Sequence, residues 1–426
     1  MSCEIEKTTI YGKIKCPSNK SYTHRALLLS TLVDGKSIIK NVLYSNDTRA
    51  SIKACQSFGA QVQEAGNNIT VKGLKEFKNP NGIIDAENSG TTIRIAAAIS
   101  SLLEGKTVLS GDKSLRERPM QPLLDALESI GAKCSSKDGK PPITVTGKVK
   151  GGEITIPGNI SSQFISALMI IGPKTENGID LNIDGDLVSK PYLDATITTM
   201  KKFSANVETV TPYKKYKIEP QKYKPTTVTI PSDFSSLALL LSAAVLLGDG
   251  LTIEMTMGDL PQGDEKIIDI LEILGVVVTL KKNTISVKSP ERLDGGKFDL
   301  HDTPDLLPPL AILALKTSKP IELYNVKHAR FKETDRIAIL ARELKKLGIK
   351  VKEKDDGLVL DAPIKPKGAQ LNSENDHRLF MAFCIAGMFV GDCTVSNPES
   401  VDISYPNFIS DMNKVGGKIK SPIEGL

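Results

Sequence analysis

Polar and apolar positions along the chain alternate on a long period. The stretch "PSNKSYTHRALLLS" (17–30) opens with helix-capping polar residues and then turns apolar. Stretches of the same kind recur as "ENSGTTIRIAAAIS", "ISSQFISALMIIG", "PSDFSSLALLLSAAVLLG", "TPDLLPPLAILAL" and "ENDHRLFMAFCIAG". Each predicts an N-capped helix with a nearly all-apolar body, hence a helix buried on every side. The landmarks Asn19, Gly90, Ser162, Asp233, Asp305 and Asp376 stand 71, 72, 71, 72 and 71 residues apart. A second series, "SFGAQV", "SIGAKC", "KFSANV", "ILGVVV", "KLGIKV" and "KVGGKI", ends a two-faced helix and starts a strand. Its central residues Gly59, Gly131, Ser204, Gly275, Gly348 and Gly416 step by 72, 73, 71, 73 and 68. Two series on one period predict six α/β repeats, with β-rich runs such as "TVLSG", "ITVTG" and "NTISVKS" between the helices. Pro17 in "KCPSNKS" and Pro231 in "TIPSDFS" lie three repeats apart in matching contexts, so the chain divides into halves of three repeats.

At 426 residues the chain is too long for one compact domain, and two or three are expected. Its 55 basic and 50 acidic residues leave a net charge of +5, too mild to announce a nucleic-acid binder. The basic stretch "TPYKKYKIEPQKYK" (211–224) interleaves Lys and Tyr, which reads either as a stacking surface for bases or as a solvated strand edge. Cys3, Cys16, Cys55, Cys134, Cys384 and Cys393 lack CxxC or His-paired spacing and are expected as free thiols without a zinc site. No apolar run approaches the roughly 18 residues of a membrane span, and "MSCEIEKTTI" has no signal core, so the expectation is cytoplasmic.

Chemistry concentrates in the polar helix openings. Lys20, Ser21, His24 and Arg25 fall in the first turn of a helix, where the macrodipole is positive and cations are misplaced unless an anion binds there. A surface helix start with snorkelling side chains would look the same. Arg94, Arg118, Lys332, Arg336 and Arg378 join Lys20 and Arg25 in or near such openings, as do all four histidines, His24, His301, His328 and His377. Seven converging cations call for multiply charged ligands, and two phosphorylated carboxylic acids supply about five to six negative charges. In "FKETDRIAIL", Glu333 lies among Lys332, Thr334 and Arg336, as a carboxylate kept ionised, a proton shuttle or part of a charge-laced helix start. Asp305 in "HDTPDLLPP" reads as an N-cap or a catalytic carboxylate, and Gly90 in "SGTT" permits close backbone approach to a ligand or a plain turn.

Taken in order, "NKSYTHRALLL", "ENSGTTIR", "RERPMQPLLDAL", "SSQFISAL", "GDLVSKPYLD", "PSDFSSLA", "TPDLLP", "FKETDRI" and "NDHR" resemble the 5-enolpyruvylshikimate-3-phosphate synthase family, the 3-phosphoshikimate 1-carboxyvinyltransferases among the enolpyruvyl transferases. The resemblance covers essentially the whole chain. It implies an α/β fold, a two-domain inside-out α/β barrel of six βαβαββ repeats, three per domain, with the first residues pairing into the C-terminal half. The domains would be 1–17 with 232–426, and 18–231. It implies transfer of the enolpyruvyl group of phosphoenolpyruvate to the 5-hydroxyl of shikimate 3-phosphate in aromatic amino-acid synthesis. No metal or organic cofactor, nucleic acid or membrane is implied, and a monomer is expected. Shikimate 3-phosphate would meet Lys20, Ser21, Arg25, Ser161, Ser162, Gln163, Ser189, Asp305 and Lys332. Phosphoenolpyruvate would meet Lys20, Gly90, Arg118, Gln163, Arg336 and Arg378. Asp305 would accept the hydroxyl proton, Glu333 would protonate the methylene, and closure of the halves would expel water.

Two positions depart from the family pattern. Ile403 in "VDISYPNF" stands where a Lys usually reaches phosphoenolpyruvate, so either another cation such as Lys414 takes over the contact or the enzyme works with one fewer. Ile95 stands where a Pro is common. A UDP-N-acetylglucosamine enolpyruvyl transferase would usually carry a reactive Cys in the loop that reads "GDKSLRERPM", which has none. A non-catalytic six-repeat nucleic-acid clamp would need a broad basic surface, against the +5 balance.

Overall fold

The computed structural model describes residues 1–248, 250–363 and 365–422. The chain divides into two compact units, one of residues 1–17, 232–257 and 263–426 and the other of 18–231 and 258–262. Each has its own apolar core.

Among the described residues the strands form six four-stranded sheets, three in each unit, with one pattern throughout. In Gly152–Pro157, Ile179–Asp184, Lys215–Ile218 and Glu208–Thr211, the first pair is parallel and the next two are antiparallel. A parallel pair needs a crossover, and helix Ser162–Ile171 supplies it. The strand Tyr11–Lys15, just ahead of helix Lys20–Thr31, pairs in parallel with Gly250–Glu254 (Lys13 beside Thr252). The sheet that holds Gly35–Lys40 instead takes Thr227–Thr229 as its parallel neighbour (Val228 beside Ile39). Ser2–Ile5 pairs with Cys393–Ser396, so the first residues belong to sheets of the C-terminal half.

The helices that open on polar clusters are buried. Phe234–Leu247 is buried along its whole length, and Lys20–Thr31, Gly90–Ser100, Ser162–Ile171 and His377–Val390 nearly so. The helices that follow are two-faced. Arg336–Lys346 buries Ile337, Leu340 and Leu344 and exposes Lys345. Gly59, Gly131, Ser204, Gly275, Gly348 and Gly416 all have positive φ, between 63° and 113°, one residue past the C-cap of such a helix. This left-handed residue lets the chain leave the helix for the next strand, and only Ser204 adopts it with a Cβ.

In the stretch 211–224, Tyr216 and Tyr223 are buried while Lys214, Lys215, Lys217 and Lys224 are exposed. Tyr223 donates to the Ile170 carbonyl at 2.8 Å. Tyr216 and Tyr223 are therefore core residues behind a solvated lysine face, while Tyr213 is half-buried. The six cysteines are free thiols, five of them buried. No helix among the described residues is long and apolar enough to cross a membrane.

Candidate active site

In the unit built on residues 18–231, Asn19 caps helix Lys20–Thr31 by accepting from the Tyr22 amide at 2.8 Å. The four donors of its first turn have different fates. Lys20 Nζ lies 2.8 Å from the buried Asp47 carboxylate. Ser21 is half-buried and its carbonyl accepts from Arg25. His24 Nδ1 meets the Ser51 hydroxyl at 2.8 Å, and burial lowers its pKa to about 3, so it is neutral. The Arg25 guanidinium is 1% exposed and donates to Thr196 Oγ1 (2.8 Å), the Tyr192 carbonyl (3.0 Å) and the Ser21 carbonyl (3.1 Å). Among the described residues no carboxylate pairs with it, and burial lowers its pKa to about 10. A buried cation met only by neutral acceptors favours an anion nearby.

A second group surrounds Gly90, the first residue of helix Gly90–Ser100, whose N-cap Ser89 accepts from the Thr92 amide. A Cβ at Gly90 would lie 3.1 Å from Arg94 Nη1, 3.2 Å from Arg118 Nη1 and 3.3 Å from Gln163 Oε1. Two guanidiniums and an amide thus face one glycine. Arg94 donates to Gln163 and lies over the Phe164 ring at 4.8 Å. Arg118 donates to Asn88 Oδ1 at 2.9 Å, and Asn88 donates to Asp112 at 2.8 Å, which orients the amide. Ser161 caps helix Ser162–Ile171, bringing Ser161, Ser162 and Gln163 to one helix start. Ser189 precedes helix Lys190–Lys202 in the left-handed region at φ 57°, a strained conformation of the kind found at ligand clamps. That helix carries Thr196, which holds Arg25 and donates to Ser166 Oγ at 2.8 Å.

The other unit gathers acids. Arg336, buried at the start of helix Arg336–Lys346, donates to three carboxylates: Asp376 (2.8 Å), Asp305 (2.8 Å) and Glu333 (2.7 Å). Arg378 Nη2 lies 3.1 Å from the second oxygen of Asp305. Burial pushes the Asp305 carboxyl up, but Arg378, Lys332 and Arg336 together outweigh it and hold the group well below the usual carboxylate range. Burial lowers the pKa of Lys332, with Asp305 opposing. Asp376 caps helix His377–Val390 by accepting from the Arg378 and Leu379 amides, which places Arg378 on the first turn. His377 Nδ1 meets Ser404 Oγ at 2.5 Å, and its Nε2 lies 3.9 Å from Glu333. The rings of His301 and His328 meet edge to face at 5.9 Å, and burial beside Lys332 lowers the pKa of His328 to about 3.

Asp305, Lys332, Glu333, Arg336 and Arg378 are therefore brought together in one unit. Gly90, Arg118 and Gln163 come together in the other, with Ser161 and Ser162 adjoining. Three orienting residues escaped the sequence reading: Asp47 for Lys20, Asn88 for Arg118 and Asp376 for Arg336. Only Asp376 left a signal, as an N-cap landmark. Lys414 is 71% exposed and pairs with Asp411 at 3.0 Å within its own helix. Ile403 is buried.

Acids and cations so arranged suit an enzyme that acts on anionic small molecules. The sequence matches the family model for EPSP synthase (3-phosphoshikimate 1-carboxyvinyltransferase) over residues 5–412, and the chain belongs to that family. It is 60% identical to the 3-phosphoshikimate 1-carboxyvinyltransferase of Nitrosopumilus maritimus over 99% of this chain and all of the relative. It is 42% identical to that of Methanosarcina acetivorans, covering 99% of each chain. An EPSP synthase structure from Acinetobacter baumannii superposes with a TM-score of 0.82 at 25% identity, covering 98% of this chain and 99% of that one. The enolpyruvyl transferase NikO of Streptomyces tendae superposes at 0.77 with 18% identity over 99% of each chain, a likeness of fold alone.

Proposed function

We infer that the chain transfers the enolpyruvyl group of phosphoenolpyruvate to the 5-hydroxyl of shikimate 3-phosphate and releases phosphate. The observation that carries this reading is the pair Asp305 and Glu333 on one buried guanidinium, Arg336. In the addition step the 5-oxygen bonds to C2 of phosphoenolpyruvate, Asp305 takes the hydroxyl proton and Glu333 supplies a proton to C3. The tetrahedral intermediate then returns a methyl proton to the Glu333 carboxylate as its C2–O bond to phosphate breaks, and Asp305 passes its proton to the leaving phosphate. As the anionic substrate engages Arg378 and Arg336, their hold on Asp305 weakens and its proton affinity rises toward a useful range. Gly90, Arg118, Gln163, Arg336, Arg378 and Lys20 bind phosphoenolpyruvate. Lys20, Ser21, Arg25, Ser161, Ser162, Gln163, Ser189, Asp305 and Lys332 bind shikimate 3-phosphate, with the uncompensated charge of Arg25 favouring its anion.

The finer fold reading accompanies it. Residues 1–17 with 232–426 and residues 18–231 are two globular domains, each an inside-out α/β barrel of three βαβαββ repeats. The shared strand pattern of the six sheets supports this. The enzyme works as a cytoplasmic monomer without nucleic acid. Phosphate release tests the function. It is expected with phosphoenolpyruvate plus shikimate 3-phosphate, and absent with phosphoenolpyruvate alone or with UDP-N-acetylglucosamine as acceptor. Release with the nucleotide sugar instead would overturn the choice of acceptor.

A further inference from the structure

Among the buried carboxyls that the reaction above does not use, Asp264 stands beside Asp305. Asp264 lies in the short turn Gly263–Lys266 ahead of helix Ile267–Ile273, and is 5% exposed. Its hydrogen-bond donor is the Ser235 hydroxyl. Helix Phe234–Leu247 packs against this turn and against Pro304–Leu306, the turn that carries Asp305. The groups facing Asp264 are Asp233 and Ser235 at the start of that helix, Asp305 beside it and Arg378 from helix His377–Val390. On its own turn, Lys266 donates away to the Asp299 carbonyl at 2.9 Å. Asp305 pairs with both Arg378 and Arg336, and Arg336 also serves Glu333 and Asp376. Among the described residues Asp264 thus has two acidic neighbours, one hydroxyl donor and no cation in hydrogen-bond contact, and a buried carboxyl so placed favours its neutral form.

We propose that Asp264 is a positioning residue that works as a neutral carboxylic acid, whose ionisation sets a second buried negative charge beside Asp305 and weakens the binding of phosphoenolpyruvate. The inference rests on the reaction proposed above. Burial first, and then the Asp305 charge, push the Asp264 carboxyl up to about 7, against the Ser235 hydroxyl and Arg378. Below that pH the acid is neutral. Above it, the carboxylate repels an incoming anion and competes for Arg378.

The test compares kcat/KM for phosphoenolpyruvate at pH 6 and pH 8.5, with shikimate 3-phosphate saturating, in the parent, Asp264→Asn and Ser235→Ala. The parent is expected to fall about tenfold across this range, and Asp264→Asn, which keeps the neutral shape, to fall less than threefold. Ser235→Ala removes the donor that favours the ionised form, so its alkaline limb moves to higher pH. A parent that stays flat, an Asn variant that falls as far as the parent, or an alkaline limb that moves down in Ser235→Ala overturns the proposal. Urea unfolding separates this from the reaction itself. The raised carboxyl stabilises the parent fully below about pH 4, and that contribution is lost as pH rises toward 7. The midpoint of Asp264→Asn relative to the parent is therefore expected to climb from pH 4 to pH 7. A constant gap overturns the neutral acid whatever the enzyme's substrates are.

Discussion

Gly90→Ala isolates one contact of the proposed phosphoenolpyruvate site. The added methyl meets Arg94 Nη1 at 3.1 Å, Arg118 Nη1 at 3.2 Å and Gln163 Oε1 at 3.3 Å, each a few tenths of an ångström inside ordinary contact. These are side-chain ends, so they yield, but not independently. Arg94 is bonded to Gln163, and Arg118 to Asn88, which is held by Asp112. The retreat therefore moves both Arg118 and Gln163 away from the proposed ligand. Losing one charge-assisted hydrogen bond costs about 1.5–3 kcal/mol, or roughly 10- to 100-fold in affinity. Folding does not suffer, because Gly90 opens a helix and Ala is the better helix former by up to about 1 kcal/mol. An affinity loss in this variant is thus a local effect.

The phosphonate glyphosate, an inhibitor of sensitive members of this family, distinguishes the ligands. Its two anionic ends are separated by a longer chain of atoms than those of phosphoenolpyruvate, so it has less slack when the donors shift. Inhibition is expected to weaken by at least about tenfold, while the KM for phosphoenolpyruvate rises by about threefold or less. Phosphate release at saturating shikimate 3-phosphate, with glyphosate titrated against parent and variant, supplies both numbers. Equal losses for inhibitor and substrate, or no loss for either, would refute the placement of a ligand against Gly90.

Glu333→Gln should lower kcat by roughly 100-fold or more and leave KM for both substrates nearly unchanged, since the proposed general acid is lost while Arg336 keeps Asp305 and Asp376. Near-normal turnover in steady-state assays would remove Glu333 from the chemistry. Asp376→Ala removes a helix cap and a fully buried partner of Arg336, and should cost about 3 kcal/mol in urea unfolding. A loss below about 1 kcal/mol would show that Asp305 and Glu333 suffice to hold the guanidinium. Ser204→Gly relieves a Cβ in the left-handed region at φ 63° and should raise stability by about 0.5–1 kcal/mol, read as a higher Tm.

What was legible in the sequence followed from local physics. A helix buried on all sides must be apolar throughout and must satisfy its first amides with a cap, so Asn19, Ser89, Ser161 and Asp376 announce helix starts without any tertiary knowledge. A left-handed residue must follow each two-faced helix, so the glycine series was readable, with Ser204 as its one irregular member. Strand partnership had no such signature. That Ser2–Ile5 pairs with Cys393–Ser396 could be taken only from a family resemblance, because pairing across the chain leaves no local pattern. Charge partners were equally hidden. Asp47 and Asn88 are ordinary polar residues until folding sets them against Lys20 and Arg118.

The last motif shows the same limit most sharply. Its departure at Ile403 was visible, but the consequence was not. The short turn Pro398–Ile403 ends with Ile403 buried, and the next residue, Ser404, holds His377, whose far nitrogen faces Glu333. The segment therefore reaches the acid cluster through a hydroxyl and an imidazole rather than through an ammonium. A missing cation in a motif is thus no measure of a missing function. What the segment does is set by which neighbour its backbone presents to the site, and that is a property of the fold.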